Sequence, residues 1–447
     1  MKHSKWFRWS AFSSKVIGLF PLILALVSTA SGQATNQTSA TDPLSLSSAR
    51  RLALQRNWDL LAAHSGIDSA QAQLMVAKEF PNPSLSLSTA RIGDRQNSTV
   101  QGNSLWNRNY DTIAAVSQLL EIAGKRSSRR ESAHAGVSGA RARFLDARRT
   151  LEQGVAKAYV AALLAEENAR ILSASAKSLR RQAEIAQARF QAGDISASDL
   201  KQIQNNAQDF ELQAGNAVMT AAQARIGLEL LLGVPSPQGK CVLEEKLDTL
   251  AFNQTASPVT VPDGSRPDVL AAEADLKRAG AELKLQKALR LPDPVVSVGV
   301  EHNPPGGGPP TDSFILGVTL PLPLWNRNGG AIRAAEAAEK QAVLVLEKSR
   351  AQAFADLATA EVAYQEASER SRRYRDEIQP RSAQVRDSVE YAYGKGGASL
   401  VDLLTAERDY NNVRLSTARA LSDAAGAAAD LEAARDRVTR TQLASVK

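Results

Sequence analysis

The sequence has little of several things, and each shortage removes a class of explanation. Among its 447 residues Cys241 is the only cysteine, so no internal disulfide can form. Cys241 also lies far from the N-terminus, so it cannot be the lipid-bearing first residue of a mature lipoprotein. His3, His64, His134 and His302 are scattered, with no second histidine or cysteine a helical turn away. No metal site and no cofactor site is read from them. Aromatic residues are 5% of the chain, and no basic stripe is interleaved with them, so no nucleic-acid partner is expected. The formal charge of +7 falls to +3 once Lys2, Lys5, Arg8 and Lys15 are set aside as part of a leader. No apolar run approaches the roughly 20 residues that a membrane-spanning helix needs. The longest, Val16 to Val27, follows a basic segment and precedes Ser28-Thr29-Ala30, which makes residues 1–32 an expected secretory signal. Any membrane crossing by the mature chain must use something other than apolar helices.

Breakers are missing where helices are expected. No proline occurs between Pro83 and Pro235, and Ala331 to Tyr393 contains no glycine and one proline, Pro380. One helix is read from Ala123 to Arg189, roughly 100 Å long at about 1.5 Å per residue, with a return helix from Ser198 to about Leu232. In the second stretch Pro380 is expected to produce a kink or bulge. An earlier helix is read from Ser47 to about Glu79, stopped by Phe80-Pro81-Asn82-Pro83. Its later counterpart opens at Arg266-Pro267-Asp268 and stops at Leu291-Pro292-Asp293-Pro294.

What is present is a duplication. Phe190-Gln-Ala-Gly193-Asp194-Ile195-Ser-Ala-Ser198-Asp199-Leu200 and Tyr393-Gly-Lys-Gly396-Gly397-Ala398-Ser-Leu-Val401-Asp402-Leu403 match at Gly193/Gly396, Asp199/Asp402 and Leu200/Leu403. Glycine permits the left-handed turn that ends a helix, and Ser or Asp can cap the next. The chain divides into a signal (1–32), a flexible lead-in (33–46), a first repeat (47–233), a linker (234–265), a second repeat (266–437) and a polar, frayed tail (438–447). The tips fall at 190–200 and 393–403. The Asp and Glu residues along the helices are read as mostly at solvated or salt-bridging positions.

Each repeat also carries a strand pair, near 84–92 and 110–119 in the first and 295–302 and 313–320 in the second. Val296, Val298 and Val300 alternate with Ser297, Gly299 and Glu301, and Phe314, Leu316 and Val318 alternate with Ile315, Gly317 and Thr319. The alternation fits both a soluble sheet buried on one face and a strand facing lipid. In lipid, four strands are too few to close, because single-chain bacterial barrels begin at about eight, and open edges cannot stay unpaired there. A membrane reading therefore needs several chains sharing one barrel.

The repeated order, the proline-bounded strand pairs, the Gly-x5-Asp-Leu tips and Leu320-Pro-Leu-Pro-Leu324-Trp-Asn-Arg-Asn-Gly329 resemble the TolC family of outer-membrane efflux factors over residues 47–437. The last motif is most similar to the branch associated with cobalt–zinc–cadmium and related heavy-metal export. Two departures are Trp58, where the family often has proline, and the missing N-terminal cysteine of lipidated members. The resemblance implies a mainly α fold with a small β part. Duplicated hairpins would form an α-barrel, and each chain would give four strands to a shared twelve-stranded, homotrimeric barrel in outer-membrane lipid. It implies an exit duct that meets a periplasmic adaptor (membrane fusion) protein and an inner-membrane pump of the RND type. Asp402 falls at a position where the family narrows the pore with acidic side chains; Asp199 is its sister. A second acid common in the family is here Thr405. The alternative role for both aspartates is to cap or solvate the first turn of their helices. Gly193, Asp194, Leu200, Gly396, Gly397 and Leu403 are the adaptor-docking candidates.

No enzyme is read. Gly124-Lys125-Arg126-Ser127 has Leu119 where a phosphate loop needs glycine. Drug efflux and type I secretion remain alternative uses of the same body. A soluble coiled-coil adaptor is the alternative of another class, and it would ordinarily carry one hairpin rather than two.

Overall fold

The computed structural model describes residues 43–90, 111–252, 265–303 and 311–446. The expected signal, most of the lead-in, the loop after β1 and parts of the linker and of the proline-glycine loop lie outside the described residues. The described chain opens with α1 (Leu46–Arg56) and α2 (Trp58–Lys78). This corrects the single helix expected from Ser47 to Glu79. Asn57 is extended at φ −63°, ψ 125°, and it ends one helix while starting the next. Its side chain accepts from the Leu60 amide at 3.1 Å and donates to the Leu231 carbonyl at 3.0 Å. That capping bond satisfies a helix-end amide that would otherwise go unpaired.

Then come β1 (Ser84–Ala90), β2 (Asp111–Leu119), α3 (Lys125–Gln191) and α4 (Ala197–Leu231). The expected linker contains a helix, α5 (Leu247–Phe252), whose Leu247 and Ala251 are buried. The second half follows the order of the first: α6 (Pro267–Ala288), β3 (Val295–Asn303), β4 (Thr311–Thr319), α7 (Gly329–Arg373), a π turn (Tyr374–Ile378), α8 (Gln379–Gly394) and α9 (Leu400–Arg435). The π turn sits directly before Pro380, where the kink or bulge was expected. The tail is not frayed throughout. Thr439 and Gln442 form a capping box for α10 (Arg440–Ser445), and Val438 and Leu443 pack on Ala142, Leu270 and Ala271.

The largest core lies where α1, α3, α4, α5 and α9 meet, around Val155, Tyr159, Leu163, Leu228, Leu421 and Ala424. Alanine dominates the buried side of α9, and a stripe that small lets helix backbones approach closely. Tyr159 is fully buried, and its hydroxyl donates to the Leu44 carbonyl at 2.7 Å and to the Glu245 carboxylate. Glu245 also accepts from the Leu46 amide at 2.9 Å. These bonds tie the entry of the chain to the middle of α3.

All four strands form one antiparallel sheet in the order β1-β2-β3-β4. At its base the two proline turns meet. The Leu120 amide donates to the Pro294 carbonyl at 2.9 Å, and the Ile122 amide to the Asp293 carboxylate at 2.9 Å. Lys125, 3% exposed, pairs with Asp293 at 2.7 Å and donates to the Leu291 carbonyl. Arg126 lies 3.6 Å above the Phe80 ring and donates to the Lys78 carbonyl.

Glu229 and Glu407 are the acids that depart most clearly from the solvated reading of helix carboxylates, since both are buried. Glu229, near the end of α4, accepts four backbone amides: Gln238 at 2.6 Å, Gly239 at 2.7 Å, Lys240 at 2.8 Å and Cys241 at 3.0 Å. Burial pushes its carboxyl up, but the four amides outweigh burial and hold it below the ordinary value. The stabilisation it gives is fully present above 4.5, the ordinary glutamate value, and is lost as pH falls through the lowered folded value. Glu229→Gln turns an amide group toward those donors and is expected to cost about 2–3 kcal/mol. Thermal melts followed by circular dichroism should show that deficit at neutral pH and show it shrinking on acidification.

Candidate functional site

Two surfaces stand out, the outward face of the sheet and the pair of hairpin tips. Strand pairing puts every second residue of four strands on one face. One row across the sheet is Leu85, Val116, Val298 and Leu316, and the next is Leu87, Ala114, Val300 and Phe314. Val296 pairs Val318 on the same face. These side chains are solvent-facing in the single chain, with Phe314 91% and Leu316 77% exposed. The opposite face is richer in small and polar residues: Ser86, Ala115 and Gly299 share one row with Ile315, and Ser84, Ser117, Ser297 and Gly317 form another. A Cβ on Gly299 would lie 2.7 Å from the Ala114 carbonyl oxygen, so the strands could not keep their spacing with any other residue there. β1 and β4 are the outer strands, so each has one edge with no partner strand among the described residues.

The tips share one backbone design. The Gly193 amide donates to the Phe190 carbonyl at 3.0 Å and the Asp194 amide to the Arg189 carbonyl at 2.9 Å. In the second tip Gly396 donates to Tyr393 at 3.0 Å and Gly397 to Ala392 at 2.8 Å. Both are Schellman turns, and their glycines stand at φ +83° and +80°. Three residues later Ser196 and Ser399 cap α4 and α9, accepting from the amides of Asp199 at 3.1 Å and Asp402 at 3.2 Å.

The aspartates then differ. The Asp402 carboxylate returns a bond to the Ser399 amide at 3.0 Å and accepts the Ser399 hydroxyl at 2.7 Å. These bonds, the hydroxyl first and the amide second, hold it below the usual carboxylate range. The Asp199 carboxylate accepts no such bond among the described residues.

Gly193, Asp194, Gly396 and Gly397 are exposed. Leu200 and Leu403 are 7% and 4% exposed, so their side chains hold the hairpins together from inside. Leu200 packs with Ala186 and Ile203, and Leu400 from the second tip leans on that cluster. Arg189 lies 5.8 Å from the Tyr393 ring, so the tips are neighbours. A cleft of about 870 Å³ opens between α4 and α9 beside them, lined by Lys201, Asn205, Thr405 and Arg408.

The sequence of this body matches the outer membrane efflux protein family over residues 49–234 and 264–435. The chain belongs to that family. This efflux protein is 28% identical over 306 residues to the cobalt-zinc-cadmium resistance protein CzcC of Cupriavidus metallidurans, covering 68% of this chain and 69% of that one. It is similar in fold to a membrane protein from Pseudomonas aeruginosa, with a TM-score of 0.73, 21% identity, and coverage of 87% of this chain and 90% of that one. CusC, solved in a study of folding and transmembrane channel formation, superposes with a TM-score of 0.69 at 19% identity, covering 87% and 91%. The protein is an outer-membrane efflux protein, mostly helical with one four-stranded sheet. Among the described residues no helix is long and apolar enough to cross a membrane.

Sequence reasoning did not name the capping serines, although Ser196-x-x-Asp199 and Ser399-x-x-Asp402 are the spacing of a capping box. It also missed the buried polar contact between α3 and α9, where the Ser175 hydroxyl donates to Asn411. Nearby, burial pushes the Glu407 carboxyl up, against the pull of Arg386.

The glycine turns make a sharp expectation. A Cβ at Gly193 or Gly396 meets nothing within 4 Å, so alanine there costs only the left-handed strain, about 1–2 kcal/mol. Hydrogen exchange of Gly193→Ala should speed at the Asp194 amide, and that of Gly396→Ala at the Gly397 amide, with the sheet unchanged. Ser399→Ala should loosen the first turn of α9 by about 1 kcal/mol, read by the same exchange.

Proposed function

We propose that this efflux protein is a passive exit duct assembled from three copies. Their sheets join edge to edge in a twelve-stranded barrel, and their hairpins form a tunnel in the periplasm. The observation that carries this reading is the sheet itself, with one face apolar and exposed across all four strands and an open edge on each side. One chain cannot pair those edges, and four strands cannot close. In this reading the wall does no chemistry and needs no cofactor, and energy comes from an inner-membrane pump of the RND type joined through a periplasmic adaptor. The similarity to CzcC, named for cobalt, zinc and cadmium resistance, favours heavy-metal cations as cargo over drugs or secreted proteins. The exposed backbone of Gly193, Asp194, Gly396 and Gly397 is the adaptor's landing surface.

In this assembly Asp402 supplies three carboxylates around the narrow end. The hydrogen bonds from Ser399 keep them ionised at neutral pH and fixed in direction, which suits a cation filter. Asp199, without that bonding, contributes less.

Light scattering of the detergent-solubilised protein is expected to give three chains per particle. A monodisperse monomer would remove the shared barrel. In planar bilayers Asp402→Asn should reduce cation over anion preference and weaken block by divalent cations, with Asp199→Asn causing a smaller change. An unchanged selectivity in Asp402→Asn would assign that aspartate to helix capping alone.

A further inference from the structure

The outward apolar pattern does not stop where β4 stops. Phe314, Leu316 and Val318 continue at every second position through Leu320, Leu322 and Leu324, all of them exposed. Strand pairing ends at Thr319 because Pro321 and Pro323 have no amide to donate. The chain bends at Pro323, where the Leu324 amide donates to the Leu322 carbonyl at 2.9 Å. Trp325 follows at 94% exposure, and Arg327, also exposed, has no carboxylate partner among the described residues. At the opposite end the same face closes with a polar row, Thr89, Thr112, His302 and Asp312. There the His302 ring nitrogen Nδ1 lies 2.7 Å from Asp312.

Length decides what this extension is for. Phe314 to Val318 spans about 13 Å at ~3.3 Å per residue, or about 10 Å along the bilayer normal at a tilt near 40°. The apolar band of an outer-membrane barrel is about 25 Å tall. Running on to Leu322 doubles the span to about 26 Å along the chain and about 20 Å along the normal, and side chains at both ends supply the rest. A neighbouring copy would pair in the plane of the sheet, through its edges, and leave this face uncovered.

We infer that Leu320–Trp325 is an interfacial anchor seated in the periplasmic leaflet. Leu320 and Leu322 lie among acyl chains, and Trp325 lies at the level of phospholipid headgroups, where its amphipathic ring is favoured. Arg327 meets the phosphates. Pro321 and Pro323 remove two of the amide donors that the chain would otherwise carry unpaired as it leaves the barrel at that depth. The inference rests on the barrel reading given under Proposed function.

The test uses the full mature protein with Trp58→Phe and Trp106→Phe, leaving Trp325 as its one tryptophan. It is reconstituted into phosphatidylcholine vesicles brominated either near the glycerol end or near the end of the acyl chains. Trp325 fluorescence is expected to be quenched about two-fold more by the shallow bromine, as for a ring in the interface. A companion, Val318→Trp with Trp325→Phe, places the probe mid-band on a side chain already exposed and is expected to respond more to the deep bromine. Quenching of the Val318→Trp probe with none at Trp325 would overturn the anchor and leave the barrel standing. No quenching of either probe would overturn both.

Discussion

The structure turns on two rows of backbone groups that find no partner strand among the described residues. The outer edges of β1 and β4 present amides and carbonyls beside a face lined with Leu85, Leu87, Phe314 and Leu316. In water such edges invite association. In lipid each unpaired group costs several kcal/mol. The sheet is therefore half of a statement that only further copies complete, and the long helices are the part that one chain can finish by itself.

The junction between these two parts is held by buried polar contacts. Lys125 is buried against Asp293 and the Leu291 carbonyl, and Arg126 covers Phe80. A buried lysine is costly unless paired and fully hydrogen-bonded. Here the pairing links the start of α3 to the proline turn before β3, so it joins the two halves of the chain. The chain enters α3 through two left-handed residues, Ala123 at φ 59° and Gly124 at φ 74°, and enters α7 through Asn328 at φ 59°. Both long helices therefore start from left-handed backbone, and α3 is also held there by the Lys125–Asp293 pair.

Much of the fold was legible in the sequence because long elements advertise themselves. The absence of proline from 84 to 234 marks α3 and α4, and the paired Pro-x-Pro turns mark where helix gives way to strand. The strand faces followed from period-two alternation alone, and Val298 indeed pairs Leu316. The misses share one physical cause, which is that short-range side-chain bonds override composition. Asn57 splits a run that looks continuous. Glu229, four residues before Gly233, organises a proline-rich stretch that reads as slack. Thr439 and Gln442 start a helix in a tail of polar residues. At the tips the glycines and aspartates could be listed from the repeat, but not the inward turn of Leu200 and Leu403. The different bonding of Asp199 and Asp402 was equally hidden, since it depends on one returning hydrogen bond.

That difference bears on how a ring of these chains looks from below. The two Schellman turns follow the same path, so to anything that grips main chain each subunit offers two equivalent handholds. To anything that responds to fixed charge, each subunit offers one carboxylate tied to its helix cap and one without that tie among the described residues. A circular assembly would then carry two symmetries at its mouth, a finer one written in backbone and a coarser one written in electrostatics, and binding and filtering would obey different counts.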